Sequence, residues 1–167
     1  MVTAKRSAIP NTYSTSKTIL VDIQKHLVDA GALEVSFSYI QEGEQRGRAN
    51  GVTFKIAIAS RLLTYKMPVD IEATHAALQQ QARQKRKYAA VPWEQAYQSA
   101  WATCRDMIRA QMAMVRIRAV NLEQVFLPYQ LDASGAVTMY EVMRQEQFYL
   151  PTEKYIEGET TVLEDKS

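Results

Sequence analysis

The sequence has 167 residues, the usual size of a single domain. Hydrophobic residues make up 47% and charged residues 23% of it, a composition that indicates a globular protein and argues against a disordered or fibrous one. The single cysteine, Cys104, excludes an internal disulfide and a cysteine-based metal site. Because the N-terminus has no apolar core of signal-peptide length and no apolar run approaches a membrane span, we expect a cytoplasmic protein without a membrane partner.

The net charge of +2 is small, but the charges are unevenly distributed. Residues 145–167 hold six acids and two lysines, a net charge of −4, so residues 1–144 carry +6. The stretch 83–118 holds eight basic residues against Glu94 and Asp106, which is also +6. A compact basic region is therefore opposed by a separate acidic tail.

The first half of the chain predicts one helix followed by three strands. Residues 1–14 are expected to be a flexible arm, and a hydroxyl at Thr15 or Ser16 suits a helix N-cap. Apolar residues then recur every four positions (Ile19, Ile23, Leu27), which predicts a helix over 16–30 with a left-handed stop at Gly31. The stretches LEVSFSYI (33–40), GVTFKIAIA (51–59) and RLLTYKMPV (61–69) alternate apolar and polar residues. With short loops between them, they predict a three-stranded antiparallel meander.

The second half predicts helices and an acidic end. A polar helix begins after Asp70 and ends in a basic cluster, and Pro92 suits the first turn of a second helix that runs to about Val120. The stretch NLEQVFLPYQ predicts a short helical segment closed by Pro128. A turn is predicted around 134–135, with a hairpin as one interpretation. Residues 144–167 are expected to be an extended or disordered acidic tail.

These elements predict one α+β domain over residues 15–143. Its N-terminal helix and three-stranded meander are followed by two or three helices packed on one face of the sheet. An apolar sheet face needs such a cover, and the flanking helices are the segments available to supply it.

The order of the segments resembles that of small uncharacterised proteins of bacteriophages and mobile elements. Their I-K-A-K-L-E-A-V-E-S-G-I pattern, followed by E-E-x-F-L, is similar to residues 108–127. The matching positions are Ile108, Arg109, Ala110, Met112, Val115, Phe126 and Leu127. The stretches SKTILVDIQKHLVDAGA and DASGAVTMYEVM are similar to the start and the end of the same proteins, so the resemblance spans about residues 15 to 143. It implies a phage or mobile-element origin and a bacterial host cytoplasm, and it implies no established activity.

The residue types that carry chemistry are sparse. His26 and His75 each lie on a predicted helix without a second histidine or a cysteine at metal-ligand spacing, so no metal site is predicted. Cys104 falls on the apolar face of its helix, which favours a buried, unreactive thiol over a nucleophile. No glycine-rich phosphate loop or nucleophile elbow is present. We therefore expect a protein without catalytic residues and without a cofactor.

The helix predicted after Pro92 carries an arginine stripe. At about 100° per residue, its apolar residues form one face (Trp93, Tyr97, Cys104, Ile108, Val115 and Leu122, with Trp101 and Ala119 beside them). Arg105, Arg109 and Arg116 fall together on one flank of that face. Two interpretations are open. The arginines lay their stems along the apolar border with their heads in water, or they form a surface for phosphates or an acidic partner.

The functional interpretation is nucleic-acid binding, to DNA or RNA, with charge supplying the attraction to phosphates. The predicted contact residues are Arg83, Lys85, Arg86, Lys87, Arg105, Arg109 and Arg116. Arg46 and Arg48 would extend this surface, and Tyr88 and Trp93 would offer stacking to bases.

The alternative function is a protein-interaction module, such as an inhibitor of a host defence complex, which contacts a host protein partner. Here Met107 and Met114, on the other flank of the helix, would make adaptable contacts. The acidic tail is either a solubilising end, a competitor for the basic surface or a contact for a basic partner. The sequence does not predict the oligomeric state.

Overall fold

The computed structural model describes residues 16–84 and 90–146. The α+β fold is confirmed: one helix, a three-stranded antiparallel sheet, then helices. In chain order the elements are α1 (Ser16–Asp29), β1 (Glu34–Tyr39), β2 (Ala49–Ile58), β3 (Arg61–Met67), α2 (Ile71–Gln84), α3 (Trp93–Arg116), α4 (Leu122–Phe126), a 3₁₀ turn (Leu127–Tyr129) and α5 (Met139–Gln145). The predicted arm and the predicted tail from 147 on lie outside the described residues.

The sheet has the order β1-β2-β3, and both strand pairs are antiparallel. Alternation places the apolar side chains of all three strands on one face, as predicted (Val35, Phe37, Val52, Phe54, Ile56, Leu63, Tyr65 and Met67). The alternation in LEVSFSYI also predicts Leu33 and Tyr39 on that face, but both side chains are exposed, Leu33 at 70% and Tyr39 at 47%. Leu33 precedes β1 and Tyr39 ends it, next to a register shift, so the pleat does not direct either side chain into the core.

A two-residue turn joins β2 to β3. Both of its residues, Ala59 and Ser60, have positive φ angles, of 47° and 66°. This geometry matches the right-handed twist of the strands, and glycine or asparagine usually occupies it. The β2–β3 turn therefore has a backbone geometry that alanine and serine do not favour.

Helices cover the apolar face of the sheet. The indole Nε1 of Trp101 on α3 donates a hydrogen bond to the carbonyl oxygen of Ala49 at 3.1 Å, and its ring meets Phe37 edge-on at 5.9 Å. Phe126 on α4 meets the rings of Phe54 and Tyr65 at 5.5 and 6.0 Å. The buried face of α1 joins the same core through Ile19, Ile23 and Leu27. One core thus connects the sheet with the helices before and after it.

Helix α3 is shorter than predicted. It ends at Arg116, and the prediction that it runs to about Val120 is wrong because Arg118 adopts a left-handed conformation with φ of 58°. The N–H groups of Arg118 and Ala119 donate to the carbonyls of Val115 and Met114, which is the Schellman pattern of a helix end. Ala119, expected beside the apolar face, is consequently exposed.

The sequence interpretation also missed helix α5. Around residues 132–135 the chain makes the predicted turn, stabilised by the Asp132 carboxylate. The hairpin is limited to one antiparallel bridge, between Leu131 and Thr138, and forms no strands. Thr138 then caps α5 in a capping box with Glu141. The predicted boundary at 143 falls inside this helix. Pro128 lies within the 3₁₀ turn and does not close the preceding segment.

Candidate nucleic-acid interface

The predicted apolar face of α3 is the one that the structure buries. Tyr97, Trp101, Cys104 and Ile108 are at most 4% exposed, while Trp93 is half-buried near the start of the helix. Burial raises the pKa of the Cys104 thiol to about 12. The thiol is therefore protonated and inaccessible at neutral pH, as its position in the sequence predicted.

The three arginines of the stripe do not have the same environment. Arg105 is half-buried, and its Nε and Nη2 atoms lie 3.0 and 2.9 Å from Oδ1 of the neighbouring Asp106. Its charge is thus largely balanced within α3. Arg109 and Arg116 are exposed, and neither forms an ion pair within the described part of the chain. The stripe therefore divides into one paired and two available guanidinium groups.

Arg109 and Arg116 line one open cleft between α1 and the second half of α3. The cleft has a volume of about 590 Å³ and is lined by His26, Asp106, Arg109, Ala110, Met112, Ala113 and Arg116. Asp106 is the one acid in that lining, and its Oδ1 is already engaged by Arg105. The cleft consequently presents uncompensated positive charge. We refer to it as the α1–α3 cleft.

His26 is the residue of this cleft that sequence reasoning missed. It lies in the last turn of α1, on the border of the apolar face that carries Ile23 and Leu27. The helical period places it at that border, but no feature of the sequence indicates which part of α3 packs against the end of α1. Only the tertiary arrangement brings the imidazole beside Arg109 and Arg116.

The basic cluster before Pro92 is only partly described. Arg83 is exposed in the last turn of α2, and Lys85, Arg86 and Lys87 lie outside the described residues, as does Tyr88. The chain returns along α2 after this gap: Nε2 of His75 lies 2.8 Å from the carbonyl oxygen of Val91. The N–H of Val91 also donates to Oε1 of Gln79 at 2.9 Å. That Arg83 and the arginines of α3 form one continuous basic surface stays a prediction.

The side chains of Arg48 and Trp93 already contact other residues of the fold. The guanidinium of Arg48 lies over the rings of Trp93 and Tyr97, at 5.8 and 5.3 Å, and its Nη2 pairs with Glu94 at 2.9 Å. The two rings stack on each other with centroids 5.1 Å apart. The predicted extension of the basic surface by Arg48, and base stacking on Trp93, therefore have to compete with contacts already made. Arg46 is exposed in the β1–β2 loop.

Models of protein families, curated proteins and solved structures were compared with this chain, and none matches it. Over residues 16–84 and 90–146, no three histidine, cysteine, aspartate or glutamate side chains are placed to hold a metal ion. The same residues contain no helix that is long and apolar enough to cross a membrane.

Proposed function

We propose that this protein is a non-enzymatic accessory protein of a bacteriophage or mobile element that binds DNA or RNA through the α1–α3 cleft. One observation carries the proposal: Arg109 and Arg116 line the same open cleft, and its one acid is engaged by Arg105. Guanidinium groups pair with phosphates in a bidentate geometry, and they keep their charge at every physiological pH.

The spacing of the two arginines suits a nucleic-acid strand. They are seven residues apart on one helix, about 10 Å along its axis at 1.5 Å per residue. One strand of duplex DNA rises about 3.4 Å per phosphate, so this distance spans about three nucleotides. The expected contacts are to the backbone, which provides affinity without base specificity.

The test measures the salt dependence of binding to labelled single-stranded and duplex DNA and RNA by fluorescence anisotropy, between about 50 and 200 mM salt. Replacing both cleft arginines (Arg109→Gln with Arg116→Gln) should weaken binding. On duplex DNA it should lower the slope of log K against log salt by about 0.9 for each phosphate that is no longer neutralised. The matched control is Arg61→Gln, an exposed arginine at the start of β3. Equal affinity and slope for the double variant and the control would refute the proposal.

A variant of the Arg105–Asp106 pair provides a second test, in which nucleic-acid binding should become stronger instead of weaker. Asp106→Asn removes the one acid that lines the cleft and releases the Arg105 guanidinium, so it should strengthen binding and steepen the salt dependence. Weaker binding by this variant, with an unchanged circular dichroism spectrum, would contradict the role given to the cleft.

A second candidate function, a protein-interaction module, is favoured by two exposed apolar side chains at the end of α3. Met114 is 44% exposed and Ile117 is 75% exposed, whereas Met107 is half-buried with its sulfur 4.0 Å from the Tyr129 hydroxyl. A host protein partner, such as a defence complex, would cover Met114 and Ile117. Ile117→Ser, which adds no charge beside Arg116, then abolishes capture of that partner from a bacterial host and leaves nucleic-acid affinity unchanged, which separates the two functions.

A further inference from the structure

A second cleft lies in the C-terminal half of the described chain, between the end of β3, the 3₁₀ turn and α5. Its volume is about 530 Å³, within the range of ligand-binding clefts. It is lined by Lys66, Met67, Pro68, Pro128, Tyr129, Ala136, Thr138, Tyr140, Glu141 and Arg144. Tyrosine, proline and methionine form its walls, and we refer to it as the α5 cleft.

The charged side chains in the lining of the α5 cleft are Lys66, Arg144 and Glu141, so the lining carries a net positive charge. Lys66 and Arg144 form no ion pair with any described residue. Glu141 is engaged internally: its Oε2 accepts hydrogen bonds from the N–H and the hydroxyl of Thr138 at 2.7 and 2.8 Å. These bonds and the charge of Lys66 hold the pKa of the Glu141 carboxyl below its ordinary value. Two cations and a tyrosine-lined apolar wall thus suit a ligand that combines carboxylates with aromatic or aliphatic groups.

A segment with this chemistry follows the cleft directly in the chain. Helix α5 ends at Gln145, and Arg144 in its last turn lines the cleft. The sequence continues with Phe148, Tyr149, Leu150 and Pro151. The acids Glu153, Glu157 and Glu159 follow, with one lysine, Lys154, among them, so the segment is net acidic. Phe148 follows Arg144 by four positions, which allows at most about 14 Å of extended chain. The apolar group is therefore within reach of the cleft wall, and the acids follow it.

We propose that residues 148–159 of the same chain occupy the α5 cleft. The apolar group packs against Tyr140 and the two prolines, and the acids that follow lie near Lys66 and Arg144. The proposal is independent of nucleic-acid binding, because the α5 cleft shares no residue with the α1–α3 cleft.

Photo-crosslinking in the full chain tests this assignment. A benzophenone amino acid replaces Tyr149, and peptide mass spectrometry locates the crosslinked residue after irradiation. Crosslinks to Tyr129 or Tyr140 of the same chain are expected, because both side chains line the cleft and reach its surface. The same probe at Leu163, beyond the proposed contact, should give no such products. An absence of crosslinks, or crosslinks to other parts of the chain, would overturn the proposal. Covalent dimers would overturn it as well, because they would assign the segment to the cleft of a second copy.

A charge-reversal variant tests the electrostatic part. Lys66→Glu with Arg144→Glu should reduce the yield of the Tyr149 crosslinks about fivefold, the effect of losing two surface ion pairs. Arg61→Glu, which reverses an exposed charge on β3 away from the lining, should leave the yield unchanged. Circular dichroism spectra of both variants serve as the control that the fold is unchanged. Equal yields from the two variants would contradict the role of Lys66 and Arg144.

Discussion

Arg118 holds a backbone conformation that residues other than glycine rarely adopt. The ends of α1 and α3 both pass through a left-handed residue, Gly31 at φ of 96° in one and Arg118 at φ of 58° in the other. The left-handed conformation costs a side-chain-bearing residue about 1–2 kcal/mol, and glycine avoids that cost. The arginine is thus kept at a position where glycine would suit the backbone better.

Arg118→Gly should therefore stabilise the protein. Relief of the left-handed strain outweighs the greater freedom of glycine in the unfolded chain, so the free energy of unfolding should rise by about 0.5–1 kcal/mol. Urea denaturation followed by circular dichroism measures it. Arg118→Ala is the matched control, because it removes the charge near the helix end but keeps the strain. The strain argument is wrong if the alanine variant is as stable as the glycine variant.

At the scale of elements, the β2–β3 turn has the same kind of mismatch. Ala59 and Ser60 both have positive φ, in a two-residue turn where Asn-Gly is the preferred pair. Ala59→Asn with Ser60→Gly should raise the free energy of unfolding by about 1 kcal/mol, measured by urea denaturation. Ser60→Ala, which keeps a side chain at positive φ, should give no gain. A double variant no more stable than the unmodified protein would contradict the assigned turn geometry.

The turn and cap that lead into α5 depend on two carboxylates. Hydrogen bonds from Ser134 and from the backbone N–H groups of Val137 and Ala136 lower the pKa of Asp132 from its ordinary 3.8. Thr138 and the charge of Lys66 lower the pKa of Glu141 from 4.5. A carboxyl whose pKa is lower in the folded state contributes stability above its ordinary pKa. That contribution is lost as the pH falls from the ordinary value through the folded-state value.

Asp132→Asn with Glu141→Gln should consequently flatten the loss of stability in acid. Urea denaturation at a series of pH values from neutral to below 3.8 measures the slope, and the variant should differ most from the unmodified protein at neutral pH. Glu42→Gln, an exposed carboxylate in the β1–β2 loop with no hydrogen bond in the described part of the chain, is the control. Parallel pH profiles for all three proteins would show that these contacts do not stabilise the fold.

For the whole molecule, periodicity predicts what each element buries but not how the elements meet. The apolar alternation of β2 and the stripe on α3 identify the core because both repeats are long. Helix α5 has seven residues, too few for a periodic signal, and its one indication is the capping box of Thr138 and Glu141. The α1–α3 cleft could not be predicted, because it depends on the packing of α1 against α3. That packing brings His26 beside Arg116, 90 positions later in the chain.

Trp101 joins these elements, and its replacement tests the arrangement of the whole core. It is fully buried on α3, bonds the backbone of β2 at Ala49 and contacts Phe37 on β1. Trp101→Phe leaves a cavity and removes the buried hydrogen bond to the Ala49 carbonyl, so the free energy of unfolding should fall by about 2–4 kcal/mol. Trp93→Phe makes the same chemical change in a half-buried ring that stacks on Tyr97, and it should cost about 1 kcal/mol or less. Urea denaturation followed by circular dichroism compares the two variants. An equal decrease in the free energy of unfolding would show that Trp101 is not the residue that joins the sheet to the helices.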